Sequence, residues 1–249
     1  MHIATSMSPE ERDTRIQLAA CYRLVSHFGM SDLIYNHITA RIPGPEGHLL
    51  INPYGMLYDE ITASSLVKID LDGNVLSNPG EYGINAAGYV IHSAVHGARH
   101  DVHCVIHTHT RAGMAVSALQ CGLLPLTQTA MRFAKIPYHD YESVAIDLDE
   151  RARLVADLGR SEAMILRNHG LLAAGPSIAQ AFNTLYWLEM ACKAQVDALA
   201  ANRELCLPPP EVIEKTWHLY QPTTRRPFGE LEWPAMLRLM DRKDPGYRE

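Results

Sequence analysis

The feature that most restricts the fold of this chain is the irregular way its short strands and helices interleave. In DLDGNVL, residues 70–76, the pair Asp72-Gly73 falls between two strand-like runs and carries the signature of a hairpin turn. Two more such runs, NHITARI and HLLINP, come before it with no helical pattern between them. A hairpin joins antiparallel neighbours, whereas parallel strands need a long crossover, usually a helix. A regularly alternating parallel fold is therefore disfavoured. The pattern predicts an α/β sandwich around a mixed or mainly antiparallel sheet.

The helices are well punctuated. In SPEERDTRIQLAACYRLVSHFG, Ser8 suits the N-cap, Pro9 suits the first helical position, and Glu11 would complete a capping box. Gly29 supplies the stop. Helices are also predicted over YVIHSAVHGAR, AGMAVSALQ and ERARLVADLG, the last ending at Gly159. The longest runs through SIAQAFNTLYWLEMACKAQVDALA. There Ile178, Ala181, Leu185, Leu188, Cys192, Val196 and Leu199 recur at spacings of three and four. DVHCVIH reads as a buried strand, and AMILRNHGLLAAG as strand, turn at Asn168-His169-Gly170, and strand. LPPP at 207–210 breaks the long helix. The remaining tail carries Trp217, Tyr220 and Trp233, so it is expected to pack on the body of the protein or on a neighbouring subunit.

Composition narrows the function. The chain has 249 residues, 47% of them apolar and 20% charged, enough for a sizeable core. A net charge of −6 without any long basic run argues against a nucleic-acid or anionic-membrane binder. The five cysteines are odd in number and widely spaced, with no CxxC, which fits reduced thiols in a cytoplasmic protein. The N-terminus has no apolar signal-like segment, and no apolar stretch approaches 18 residues.

The chemistry-bearing candidates are histidines. His107 and His109, in HTHT at a strand end, have the i,i+2 spacing that puts both imidazoles on one face. His169, in the turn after another strand, is the best third ligand. Three histidines leave a position open for water or substrate, the arrangement of a catalytic site. Spacing alone leaves two readings open: a metal site, or a polar strand end plus an unrelated loop histidine. His92 and His96 form a separate i,i+4 pair, better read as hydrogen-bonded imidazoles on a partly buried helix face. His100 and His103 read as solvated loop residues.

Taken together, ARHDVHCVIHTHTRAGMAVSALQCGLLPL and ILRNHGLLAAG resemble the class II aldolase/adducin family, in its adducin-like branch. YNHITAR, INPYGMLYDEI and LVKIDLDG fall in the family's expected order. The resemblance covers roughly residues 10–205, so residues 8–205 are expected to form the family domain and 206–249 a C-terminal extension. It implies a three-layer α/β/α sandwich around a mainly antiparallel sheet, and commonly a ring-shaped homotetramer with active sites between subunits. His107, His109 and His169 match the family's metal-binding histidines. The expected cofactor is one divalent ion, zinc foremost, with manganese or iron as alternatives. Asn36 and Gly55 fall at positions expected to contact substrate.

The departures from the family pattern matter as much. The aldolases' Ser-Ser-Glu stretch, which binds phosphate and moves protons, falls here on Ala86, Ala87 and Gly88. Tyr54 stands where the family has a Ser or Thr before the glycine of another phosphate loop. A phosphate dianion needs concentrated donors, and retro-aldol chemistry needs a proton carrier. The expectation is therefore a metal-dependent carbon–carbon lyase on an unphosphorylated hydroxy- or keto-carboxylate, in first place a decarboxylase. Its proton donor would be His96, Tyr35, Tyr58, Glu81 or a metal-bound water, and Arg111 would hold a second carboxylate. Two alternatives stand beside it: an aldolase or epimerase using a displaced base such as Glu81, and a non-catalytic adducin-like interaction module.

Overall fold

A computed structural model describes residues 7–44, 47–142 and 150–249, with the backbone only for residues 86–88. The elements, in chain order, are α1 (Pro9–His27), β1 (His37–Arg41), β2 (Leu49–Ile51), β3 (Val67–Ile69), β4 (Val75–Ser77), α2 (Ala86–Ala98), β5 (Cys104–Thr108), α3 (Arg111–Ser117), α4 (Gln128–Met131), β6 (Tyr138–His139), α5 (Glu150–Leu158), β7 (Ala163–Leu166), β8 (Gly170–Gly175), α6 (Ile178–Ala200), α7 (Pro210–Leu219) and α8 (Trp233–Lys243). One turn of 3-10 helix, Pro245–Arg248, follows.

Local chemistry explains the first helix. Ser8 Oγ accepts the Glu11 N–H at 3.1 Å, satisfying one orphan donor of α1. At the other end Gly29 has φ +66°, and the Met30 and Gly29 N–H groups donate back to Val25 and Ser26. The capping box is only half made. The Glu11 carboxylate binds Arg15 at 3.0 Å and Lys68 at 2.9 Å instead of the Ser8 amide. Arg15 is buried, and its charge has the stronger claim on that carboxylate.

The eight strands form one sheet in the order β4-β3-β2-β1-β5-β8-β7-β6, antiparallel throughout except between β6 and β7. The Asp72-Gly73 hairpin is present, with Gly73 at φ +87° and Asp70 Oδ1 accepting the Asp72 and Asn74 N–H groups at 2.9 Å. Strand residues point alternately to either face. Cys104, Ile106, Ile165, Leu171 and Ala173 join α1, α3 and α6 on one face. Val105, Met164, Leu166, Leu172 and Ala174 meet Ile91 and Val95 of α2 and Leu154 and Leu158 of α5 on the other. The result is the expected α/β/α sandwich.

Helix α6 buries Ala181, Leu185, Leu188 and Cys192, and each buried leucine contributes roughly 1.5–3 kcal/mol. Its predicted stripe ends early, because Leu199 is exposed. Gln195 is buried there and holds the Gly122 carbonyl and the Leu124 amide. In the tail, Trp233, Met240 and Tyr247 are buried against the α1–α6 core. The chain end docks on the segment before β3, where Ala63 N–H donates to Tyr247 O at 2.9 Å and Ser64 N–H to Glu249 O at 2.8 Å. Among the described residues, no helix is long and apolar enough to cross a membrane.

Candidate metal centre

Three central strands build the site. β1 and β5 pair so that His37 lies opposite His107, and β8 flanks β5 on its other side. His107 is buried, with Nδ1 2.9 Å from the Leu171 carbonyl oxygen. A carbonyl only accepts, so Nδ1 carries the hydrogen and Nε2 keeps its lone pair. His109 Nδ1 lies 3.2 Å from Asp32 Oδ2, which sets the same tautomer by the same logic. His169 comes from the β7–β8 turn, where Asn168 takes φ +55°.

The three Nε2 atoms converge. His107 to His109 is 2.8 Å, His107 to His169 is 3.2 Å, and His109 to His169 is 3.0 Å. Two lone pairs fixed 2.8 Å apart repel unless a cation lies between them. Three nitrogens bound to zinc at about 2.0–2.1 Å with tetrahedral angles would be roughly 3.3 Å apart, close to the observed spacing. A proton is a poor substitute for the ion here. Burial, with the neighbouring His169 and His109, holds His107 well below its ordinary pKa. Burial and His109 push His169 down to about 4. His107 and His109 are oriented by their Nδ1 partners, and the three Nε2 atoms form a cluster that could hold a metal ion.

Two supporting carboxylates escape sequence reasoning. Asp32, from the loop before β1, orients His109. Glu189, buried in α6, accepts the hydroxyl of Thr110, whose Oγ1 also caps α3 by accepting the Gly113 N–H at 3.2 Å. The Glu189–Thr110 contact anchors the chain just after His109. Metal-binding imidazoles commonly donate their second N–H to a carboxylate. That signal points to some acid, but only the strand pairing shows which one. Replacing Asp32 by Asn is expected to weaken divalent-metal binding by about 10–100-fold, read by competition with a chelator. Unchanged affinity would mean Asp32 does not orient the ligand.

The other sequence candidates lie at varied places. Asn36 is buried directly before His37, and neither of its amide atoms has a hydrogen-bond partner among the described residues. Tyr58 is also buried, with its ring edge-on to Tyr22 at 4.6 Å and no hydrogen-bond partner for its hydroxyl among the described residues. Burial, with smaller contributions from Tyr22, Cys21 and Asp32, raises its pKa well above the ordinary value. Tyr35 is exposed, two residues past Leu33 (φ +46°). Arg111 is exposed at the start of α3. Gly55 has φ +139°, and a Cβ there would lie 2.6 Å from the Tyr82 ring. Glu81 is on that covering loop and is exposed. Ala86, Ala87 and Gly88 open α2, but their side chains lie outside the described residues.

His96 does not join the triad. It is fully buried on α2, with Nε2 2.8 Å from Thr39 Oγ1, while His92 Nδ1 lies 2.7 Å from the same oxygen. His92, one turn nearer the site, packs tilted against the His37 ring, with centroids 4.3 Å apart. The ionisable neighbours that act on His96 are Arg41 and His103. Burial first, and then those neighbours, push its pKa down to about 3. The folded pKa thus lies below the unfolded value, so the unfolded chain binds the proton more readily. The stability associated with neutral His96 is present above about pH 6.5 and is lost as pH falls toward 3. Between pH 7 and pH 5 this single group should cost about 2 kcal/mol. Urea unfolding of His96→Gln at the two pH values should show a correspondingly smaller loss. An unchanged loss would remove His96 as its source.

Residues 16–196 match the family described as the Class II Aldolase and Adducin N-terminal domain. A protein of Caulobacter vibrioides named for class 2 aldolases is 48% identical over 250 residues, covering 100% of this chain and 97% of that protein. Rat alpha-adducin is 41% identical over 255 residues, covering 96% of this chain but only 34% of adducin. The crystal structure of an aldolase II superfamily protein from Pseudomonas syringae superposes with a TM-score of 0.94 at 50% identity, covering 98% of each chain. With its central strands, its histidine triad and these relatives in agreement, the chain belongs to the class II aldolase/adducin family.

Proposed function

We propose that this protein is a divalent-metal-dependent carbon–carbon lyase acting on a small unphosphorylated hydroxy- or keto-carboxylate, and specifically a decarboxylase. The observation carrying this reading is the convergence of three oriented Nε2 atoms at His107, His109 and His169. The absence of donor side chains from Ala86, Ala87 and Gly88 directs it away from sugar phosphates.

A divalent ion held by the three imidazoles supplies Lewis acidity toward a substrate hydroxyl or keto oxygen and its carboxylate. In this reading the ion is zinc, which suits an all-imidazole set. Leu171 O and Asp32 keep His107 and His109 in the binding tautomer. Asn36, directly before the His37 that pairs with His107, offers a donor and an acceptor unpaired among the described residues to the substrate's polar groups. As CO2 leaves, the electron pair of the broken carbon–carbon bond stays on the substrate carbon, which then takes a proton. Tyr58 O–H is the proposed donor. Its raised pKa keeps it protonated until a strong base forms beside it. Exposed Arg111 would meet a second carboxylate. The working assembly is proposed to be a cytoplasmic homotetramer, in keeping with five unpaired cysteines.

The test is to purify the protein without chelator, measure bound metal, and screen hydroxylated aryl carboxylates for CO2 release. Metal retention with CO2 release supports the proposal. Aldehyde release from a hydroxy acid would support an aldolase instead. The adducin likeness favours a second reading, an interaction head without chemistry. That reading predicts no retained metal and identical behaviour of wild type and His107→Ala.

A further inference from the structure

A cavity of about 290 Å³ lies where α4, the segment entering β7 and α7 meet. It borders the start of β7, whereas His169 follows the end of that strand. The two are thus separated by roughly 10 Å of strand or more.

The charge around this cavity is unbalanced. The guanidinium groups of Arg132 and Arg225 are nearly inaccessible, with side-chain exposures of 3% and 4%, yet both turn to one carboxylate, Glu162. Arg132 otherwise binds the neutral Asn183 and Thr184 oxygens and lies over the Phe133, Trp187 and Phe228 rings. Arg225 otherwise binds the carbonyls of Tyr220 and Arg226 and lies over the Phe228 ring. Among the described residues, two buried positive charges thus share one carboxylate, although buried charges are ordinarily paired one to one. Nearby, Lys135 is paired with Glu214 at 2.7 Å, and exposed Arg160 lines the cavity with no ion pair among the described residues. This positive centre sits in a chain whose net charge is −6. The other walls are flat, formed by the rings of Trp217 and Tyr220 with Pro222 beside them. Lys135 Nζ covers the Trp217 ring at 3.9 Å. The volume is near the lower end for small-molecule sites, room for one ring and its charged group.

We propose that this cavity binds a small planar organic anion, an aryl carboxylate or aryl phosphate, with its charge at Arg132 and Arg160 and its ring against Trp217 and Tyr220. The site is separate from the histidine triad and stands whether or not the triad is catalytic. Desolvation already holds Arg132 down to about 10, so a bound anion also relieves the cost of keeping that group charged.

The experiment titrates the full-length chain with benzoate, phenyl phosphate and inorganic phosphate, followed by tryptophan fluorescence and calorimetry. One saturable site per chain is expected for an aryl anion, with quenching lost in Trp217→Phe and binding retained in His107→Ala. Arg160→Gln combined with Lys135→Gln changes only exposed side chains, so the fold should survive; binding should weaken roughly tenfold. The benzoate and phenyl phosphate arms distinguish the carboxylate from the phosphate source. The proposal is overturned if neither aryl anion saturates at millimolar concentration, or if the double variant binds like wild type. It is also overturned if His107→Ala abolishes binding, or if inorganic phosphate binds as tightly as phenyl phosphate.

Discussion

His107→Ala is expected to eliminate metal-dependent stabilisation of the protein. Partners that merely orient a ligand are worth about 10–100-fold in affinity, so removing the central ligand should cost at least about 100-fold. At metal concentrations near 100 times the dissociation constant, the wild type gains about 2.7 kcal/mol. For a chain of this size that corresponds to a rise of roughly 5–10 °C in melting temperature. The variant should show no such rise. Without metal the two proteins should differ less, because two effects oppose each other. The alanine leaves Leu171 O without its donor, but it also removes one of three lone pairs crowded within 3.2 Å. Melting scans with chelator and with added zinc check this directly. The same metal-induced rise in both proteins would place the ion elsewhere.

Gly170→Ala should damage both stability and the site, although residue 170 offers no side chain to a ligand. An added Cβ would lie 2.3 Å from the Thr108 carbonyl oxygen and 3.4 Å from His109 Cδ2. The first obstacle is backbone and cannot rotate away, so β5 and β8 must separate at the Thr108–Leu171 pair. Overpacking of this kind costs about 1–3 kcal/mol, and the rigid obstacle favours the upper end. The same displacement moves His169 relative to His107 and His109. Metal affinity should therefore fall together with stability. Gly97→Ala, on α2, is the control, because nothing lies within 4 Å of its added Cβ. It should be neutral or stabilising by about 0.5–1 kcal/mol, with metal binding unchanged. Equal behaviour of the two variants in chemical unfolding would contradict the packing argument.

Local signals were readable wherever one segment carried all the information. Ser8, Pro9 and Gly29 delimit α1 because caps depend on nearby backbone, and Asp72-Gly73 marks its hairpin for the same reason. The alternation of His107 and His109 likewise follows from strand geometry. Readability fails where partners come from distant segments. Asp32 reaches His109 across 77 residues and Glu189 reaches Thr110 across 79, and no spacing rule links such pairs. The second role assigned to Glu11 failed because Arg15, one turn on, and Lys68, 57 residues away, both claim its carboxylate. His96 stands both as a partly buried imidazole and among the proton-donor candidates, because i,i+4 spacing identifies a helical face but not what covers it. Strand β6 contributes only two residues, too few for any periodic signal.

The Thr39 hydroxyl between His92 and His96 imposes an order on protons that distances alone do not express. It has one hydrogen to give and faces two imidazole nitrogens, at 2.7 and 2.8 Å. If His92 Nδ1 accepts that hydrogen, His96 must donate from Nε2; if the hydrogen turns the other way, both tautomers exchange. The pair therefore stores one of two opposite dipole orientations behind the sheet, and neither ring can change tautomer alone without breaking a buried contact. Nitrogen-15 chemical shifts of the two imidazoles should change together or not at all.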